Sequence, residues 1–402
     1  MTDRAVRRQA ASTTDSTQSS LLSSRRNIAL VAAGTFCFWI SLYLYVPVLP
    51  LHADELGASL SMIGLVVASY AIGQVTLRIP IGIASDIIGR KPFAVTAVAL
   101  AGLGALWLGL APNPWSLFAA RTLTGVAGAG WVAISVLYSS YFISSRTTSA
   151  MAVIMSINAG ALVLATLVGG VIADLFGADT AFFGAAAIGG LGAFLLLLAP
   201  EPKMVQRAPY SSATLTRLLK SPLLMQVAII AITFQFVTFG VNFGFLPVLA
   251  ESLGASKSEV GYITTTGLVL ATVGTALSAL MVRRVSNTGA LIAASAMVLA
   301  SLLLMPLMST LLPLGALQGL NGFGRGMLNT ICISLSLKAA APEERATAMG
   351  AYQAIYAIGM LAGPVVSGEL AEMYGIESVF WLCSGVTVLG ALAVMARRLP
   401  RD

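Results

Sequence analysis

The feature that most constrains this chain is a succession of long apolar runs with almost no charge inside them. A helix needs about 20 mostly apolar residues to cross a bilayer. Twelve stretches meet that requirement: 27–50, 59–81, 93–111, 115–138, 148–172, 179–199, 223–249, 258–281, 289–307, 312–336, 347–370 and 378–396. Prolines and glycines separate them, among them Pro50, Gly57, Pro92, Pro112, Gly177, Pro200, Pro222, Gly254, Pro342 and Gly375. The runs are too long, and alternate too little, for the strands of a membrane β-barrel. The predicted fold class is therefore an all-α membrane protein of twelve transmembrane helices. With 57% hydrophobic and only 10% charged residues, the chain lacks the polar surface of a soluble enzyme, a disordered protein or a disulfide scaffold.

Lys and Arg set the expected orientation, because loops on the cytoplasmic side hold the excess. With the N-terminus inside, the inward loops and tails carry 19 of the 23 basic residues and the outward loops carry only Lys257. Arg78, Arg121 and Arg325 remain within spans. The net charge of +7 thus reads as topology, not as a nucleic-acid surface. The expected location is an inner or plasma membrane, multi-pass, with both termini cytoplasmic and the lipid bilayer as the surrounding partner.

The chain also repeats itself. At an offset of 197, residues 50–64 align with 247–261, with eight of fifteen positions identical, including Gly57/Gly254, Ser59/Ser256, Ser61/Ser258 and Gly64/Gly261. The same offset places Gly125 on Gly322, and an offset of 198 places Asp174 on Glu372. The expected organisation is a cytoplasmic tail at 1–26, a six-helix bundle at 27–199, a cytoplasmic linker at 200–222, a second bundle at 223–396 and a tail at 397–402. Parallel repeats of this kind are typical of secondary transporters, which bind substrate between the repeats near the bilayer midplane.

At this point a resemblance becomes specific. The segment GIASDIIGRKP (82–92) is similar to the loop motif Gly-x-x-x-Asp-x-x-Gly-Arg-Lys of the major facilitator superfamily, matching at Gly82, Asp86, Gly89, Arg90 and Lys91. Arg121, followed by Gly125, Gly128 and Gly130, resembles the family's span-four motif. From residue 27 on, the chain looks most like the family's twelve-span drug:proton antiporters. Those carry a Gly-Pro pair in span five; here Ala165-Thr166 and Gly169-Gly170 stand there, and the pair is Gly363-Pro364 in span eleven. The resemblance implies two pseudo-symmetric bundles, alternating access, and a gating loop at Gly82, Asp86, Gly89, Arg90 and Lys91 that latches the halves when the outer side is open. Gly125, Gly363 and Pro364 are read as helix-packing residues.

Charges within the membrane are costly and default to function. Arg325 lies near the centre of span ten, Arg121 in the outer half of span four, and Glu369 and Asp174 near outer ends. Arg78 is placed to snorkel or to pair with Asp86. No Asp or Glu falls at the middle of a span. Arg325 reads either as an anchor for an anionic or zwitterionic substrate or as a structural residue bound to neighbouring helices. The remaining coupling or substrate candidates are Asn158, Gln235, Asn242, Asn321, Tyr352, Gln353 and Tyr356, with Phe36, Trp39, Phe236 and Phe243 as aromatic lining. Spans three, six, nine and twelve are apolar inside and face lipid.

Other chemistries have no support. Cys37, Cys332, Cys383 and His52 form no metal-ligand pattern, no phosphate-binding loop follows a strand, and no acid–base pair lies at membrane depth. No cofactor, metal or nucleic-acid partner is expected, and the chain is expected to act as a monomer on a small-molecule substrate. His52, beside Asp54 and Glu55, reads as a surface histidine or a pH sensor. The function expected is secondary export of small amphipathic organic compounds in exchange for protons. The alternatives are a proton- or ion-coupled importer of a small anionic or zwitterionic solute, and a non-transporting membrane receptor or scaffold.

Overall fold

A computed structural model describes residues 25–142, 146–201, 212–341, 344–396 and 399–400. Residues 202–211 of the expected linker and most of the two expected tails lie outside the described residues. Span one is Arg25–Tyr43, extended past a turn by the short helix Leu49–Glu55. Spans two and three are Leu60–Ile88 and Arg90–Gly109. Span four is broken at Gly130 into Pro114–Ala129 and Trp131–Ser139. Spans five and six are Thr147–Phe176 and Ala178–Leu198, and the linker holds a helix at Ser212–Leu219. Span seven runs from Pro222 to Ser252 and contains a π-helical segment, Thr238–Phe245. Spans ten, eleven and twelve are Leu311–Lys338, Arg345–Tyr374 and Glu377–Met395.

Among the described residues, ten stretches are long and apolar enough to cross a membrane. One of them, Lys257–Leu307, is two crossings: the helix Lys257–Leu304 turns back at Ser286, whose φ of 71° is non-helical. Span ten is not among the ten; its polar residues Gln318, Asn321 and Arg325 lower its hydropathy. Counting both, the fold has twelve membrane helices in two six-helix bundles. An even number of crossings puts Arg25 and Pro400 on one face, here called the near face.

The repeat is visible in the backbone. Gly57 (φ 80°) and Gly254 (φ 86°) make equivalent turns on the far face, where a residue with a side chain would be strained. Each turn leads to a serine cap: Ser59 accepts from the Met62 N–H, and Ser256 forms a reciprocal capping box with Glu259. Inside the bundles, a Cβ on Gly125 would overlap the Tyr70 carbonyl, and one on Gly322 would overlap the Gly267 carbonyl. Both glycines let span two or eight lie directly on span four or ten, the kind of close approach by which membrane helices associate.

Each bundle has its own apolar core, one built around Phe38, Tyr45 and Phe182 and the other around Phe245, Tyr352 and Phe380. The bundles meet mainly at the far face. Residues 236–250 of span seven are all buried, and so are 37–53 of span one except for half-buried Tyr43. Spans five and eight touch along their far halves; toward the near face they change character, and between 149 and 160 only Ala150 and Ile154 are buried. Between 271 and 282 of span eight only Gly274, Ser278 and Val282 are buried.

Candidate functional site

The centre of the molecule is a chain of cations and aromatic rings that crosses from one bundle to the other. In the first bundle Arg121 is buried at 5% exposure. It donates to the Tyr45 hydroxyl (3.0 Å) and to Thr124 Oγ1 (3.3 Å). Its guanidinium lies over the Tyr70 ring, 4.4 Å from the centroid, a cation–π contact that offsets part of the cost of burial. Tyr70 stacks on Phe239 of span seven at 6.4 Å. Phe239 meets Phe243 edge-on at 5.4 Å, and Phe243 meets Tyr43 of span one at 5.9 Å. Tyr43 continues to Trp39 and Trp39 to Trp131. In the second bundle Arg325 is 7% exposed and donates to Thr238 Oγ1 (3.2 Å), next in the chain to Phe239.

The π-helical segment of span seven makes this crossing possible. Pro247 has no N–H to offer and its ring crowds the preceding turn, and Gly240 and Gly244 tolerate the widened backbone. A π segment rotates the following side chains relative to an α-helix, and such segments cluster at functional sites. Asn242 Nδ2 reaches the Val237 carbonyl at 3.4 Å, while its Oδ1 is buried without a partner.

The candidate residues separate into groups. Arg121, Arg325 and Asn242 belong to the central chain or border it. Gln353 faces the other bundle, accepting from Arg78 Nη1 at 2.7 Å. Arg78 also donates to Gln74, so its partners are amides and not the expected Asp86. Tyr356 is half-buried and packs edge-on against Tyr352 at 5.2 Å, and Tyr352 itself is fully buried in the second core. Asn158 and Gln235 are half-buried. Asn321 is turned away from the centre, toward span nine, where it donates to Ser301 Oγ at 2.9 Å. Glu369 is exposed. Of the aromatic candidates, Trp39 and Phe243 join the ring chain, Phe36 is half-buried against the first core, and Phe236 presents its backbone to Gly359 and Gly363.

At the near face, Gly82 and Asp86 lie in the last two turns of span two, Gly89 makes the turn, and Arg90 and Lys91 open span three. Asp86 pairs with the Arg90 guanidinium at 3.3 Å. The N-terminus of span three is capped by another carboxylate: Glu201 Oε1 accepts from the Arg90 N–H (2.7 Å) and the Lys91 N–H (3.1 Å). Lys91 Nζ donates to the Leu197 carbonyl at 2.9 Å. Gly89 (φ 128°) is required twice over, since a Cβ there would also meet Glu201. Tyr141 donates to the Pro200 carbonyl beside this cap; burial, then the Glu201 charge, push its phenol up to about 12. All these contacts stay within the first bundle and the first two residues of the linker that follows it.

The far face is held by a duplicated arrangement. Glu372 of span eleven accepts from the Ser61 N–H of span two at 3.2 Å, and Asp174 of span five accepts from Ser258 Oγ of span eight at 2.7 Å. One turn deeper, Gly64 lies against the Pro364 carbonyl and Gly368, and Gly261 against Gly170 and the Thr166 carbonyl. The Thr166 and Thr265 hydroxyls bond at 2.9 Å, and Lys257 reaches Glu55 at 2.7 Å. His52 is not on the surface: it is buried against Phe182, 5.0 Å between rings, with Nδ1 3.5 Å from Glu55.

The profile of the Major Facilitator Superfamily matches residues 31–249 and 227–402. The chain belongs to the major facilitator superfamily. It is a membrane transporter and not an enzyme. The Escherichia coli multidrug resistance protein MdtG (O9:H4, strain HS) is 24% identical over 397 residues, 94% of this chain and 96% of the relative. An uncharacterized MFS-type transporter of Methanocaldococcus jannaschii is 23% identical over 367 residues, 88% and 94% of the two chains. Among solved structures, a bacterial homolog of the human lysosomal transporter Spinster, inward-facing and unoccupied, superposes with a TM-score of 0.79 at 16% identity, over 93% of this chain and 96% of that one. The nucleoside transporter NupG superposes with a TM-score of 0.74 at 16% identity, over 92% and 98%. These likenesses establish the major facilitator fold over nearly the whole chain.

Proposed function

We propose that this transporter exports small amphipathic organic compounds by alternating access, with protons as the exchanged ion and the near face in the cytoplasm. The observation that carries the reading is the ring chain from Trp39 to Tyr70, which offers apolar and polarisable surface contributed by both bundles. A solute held there touches both moving bodies. The likeness to MdtG supports export of such compounds, and the distribution of Lys and Arg supports the orientation. The sealed far face and the separated near halves of spans five and eight are then the cytoplasm-open state. In this reading the Gly82–Lys91 turn is an idle latch, its charges bonded within the first bundle until the near face closes.

A second reading, import of an anionic or zwitterionic solute, is favoured by Arg121 and Arg325 and by the absence of a carboxylate in any span interior. Everted vesicles loaded with a pH-sensitive dye separate the two. Addition of an exported compound drives protons out of the vesicle lumen if the exchange is antiport; no proton movement, or movement in the opposite sense, removes the antiport reading.

A further inference from the structure

The membrane interior holds cations whose counter-charges are missing. Every Asp and Glu among the described residues stands at a helix end or in a turn: Asp86 and Glu201 at the near face, Glu55, Asp174, Glu259 and Glu372 at the far face, and the others likewise. Arg121 and Arg325 are both more than nine-tenths buried, and the Nε of each lacks any hydrogen-bond partner. They are not equally satisfied. Arg121 has two hydroxyl partners and a ring face. Arg325 has a single hydroxyl, that of Thr238. A guanidinium keeps its proton at any physiological pH, so burial cannot be relieved by neutralisation. Burying an unpaired charge is strongly unfavourable even after the protein relaxes around it. Hydroxyls and rings offset only part of this, because none of them brings a negative charge.

We infer that the central site binds an organic anion, with a carboxylate or chemically equivalent group on Arg325 and an aromatic or apolar body lying along Phe239, Phe243 and Tyr43. Arg121 supplies a second positive field from the opposite bundle. Three observations combine here. Arg325 presents a planar guanidinium whose Nε has no hydrogen-bond partner, the group that matches a carboxylate in two bonds. The rings begin one residue from Thr238, its one hydrogen-bond partner among the described residues. The rings also run on to Arg121 across the bundle interface. The inference rests on the transporter reading for its purpose, but it is a statement about binding and is independent of the direction of transport.

The test uses the purified full chain and three isosteric probes: 2-naphthoate, 2-naphthamide and 2-naphthylmethylammonium. Binding is read by calorimetry and by thermal shift, and flux is read separately in proteoliposomes. The wild type is expected to bind the carboxylate at least tenfold more tightly than the amide and to reject the ammonium. Arg325→Gln is expected to lose about 10- to 100-fold in carboxylate affinity, the range for a hydrogen bond to a charged group, with amide affinity unchanged. Arg325→Lys keeps the charge but not the fork and should fall between the two. Equal binding of all three probes by the wild type, failure of the wild type to bind the carboxylate, or an equal loss of all probes in well-folded Arg325→Gln and Arg325→Lys overturns the inference and leaves Arg325 a structural residue. Arg325-dependent binding without flux sustains the inference while removing the transport reading; flux without charge discrimination does the reverse.

Discussion

The two faces of the molecule are built from the same duplicated sequence, yet only one is closed. At the far face each bundle contributes the same set of parts: a glycine turn, a capping serine, a glycine one turn down the helix, and a carboxylate from the partner bundle. The result is two equivalent seams, span two on span eleven and span eight on span five. At the near face a single side-chain bond, Arg78 to Gln353, is seen to join the bundles among the described residues. The difference is in kind as well as number. The far seams bring backbone to backbone at Gly64, Gly170, Gly261 and Gly368, where dispersion over many atoms adds up. The near bond joins two long, half-exposed side chains. Closure here is stored in small residues, and the charges at the rim tune it.

The comparison breaks most severely if the small residues are filled. Gly64→Leu with Gly261→Leu forces side chains into the opposing backbone; overpacking of this kind costs about 1–3 kcal/mol per site, so transport should fall by roughly tenfold or more. The distance between spin labels at Asp179→Cys and Tyr262→Cys should lengthen, and an unchanged distance would show that the seams are not what holds the face shut. Next in size is the proposed near-face latch. Asp86→Asn should cut transport several-fold, since charges at the membrane edge are usually functional, while leaving thermal stability near that of the wild type; full transport by this variant removes the latch. Arg78→Gln should separate the near ends of spans two and eleven and slow turnover by a few-fold, which single-turnover flux would register. The carboxylates come lower. Asp174→Asn and Glu372→Gln each weaken an exposed contact worth about 0.2–1 kcal/mol, a change of up to about fivefold in the closed population, and the double variant should show the sum.

The smallest effect is that of pH on the far rim. Burial raises the Glu55 carboxyl, but its bonds to Lys257 and His52 outweigh burial and leave it below its ordinary 4.5. A carboxyl lowered in the closed state favours closure while it is ionised, and that contribution is lost as pH falls through its lowered value. Closure should therefore hold from neutrality down to the carboxylate range and loosen only below it. Glu55→Gln should abolish the pH dependence of the same spin-label distance; a dependence that persists assigns the effect to another group.

Much of this was legible in the sequence, because a bilayer permits few solutions. Backbone groups in hydrocarbon must be paired within the helix, so run length and breakers place the crossings to within a few residues. The identity between 50–64 and 247–261 likewise anticipated the paired turns, and Asp174 and Glu372 turned out to occupy equivalent positions in the seams. Where reading failed, the missing information was rotational or long-range. Asn321 and Arg325 are four apart on one helix, yet one bonds to span nine and the other to span seven. The π segment of span seven leaves no periodicity to detect, although Pro247 after two glycines was a local clue. Glu201 lies 111 residues from the amide it caps, and no spacing rule reaches that far. The fully buried Tyr352 and the exposed Glu369 show the same limit: polarity identifies a residue of interest but not the side of the helix it occupies.

The unmatched arginines have an electrical consequence. In the proposed anion site, two fixed positive charges with no fixed negative one among the described residues leave the empty site dicationic and a site filled by a monoanion still cationic. Each elementary charge that crosses 100 mV of membrane potential gains or loses about 2.3 kcal/mol, comparable to the energies that hold the seams closed. As the water-filled entrance passes from one side to the other, the potential is redistributed around these charges. On the proposed alternating-access cycle, the membrane voltage is an input to the reorientation, acting on the empty and loaded carriers to different degrees.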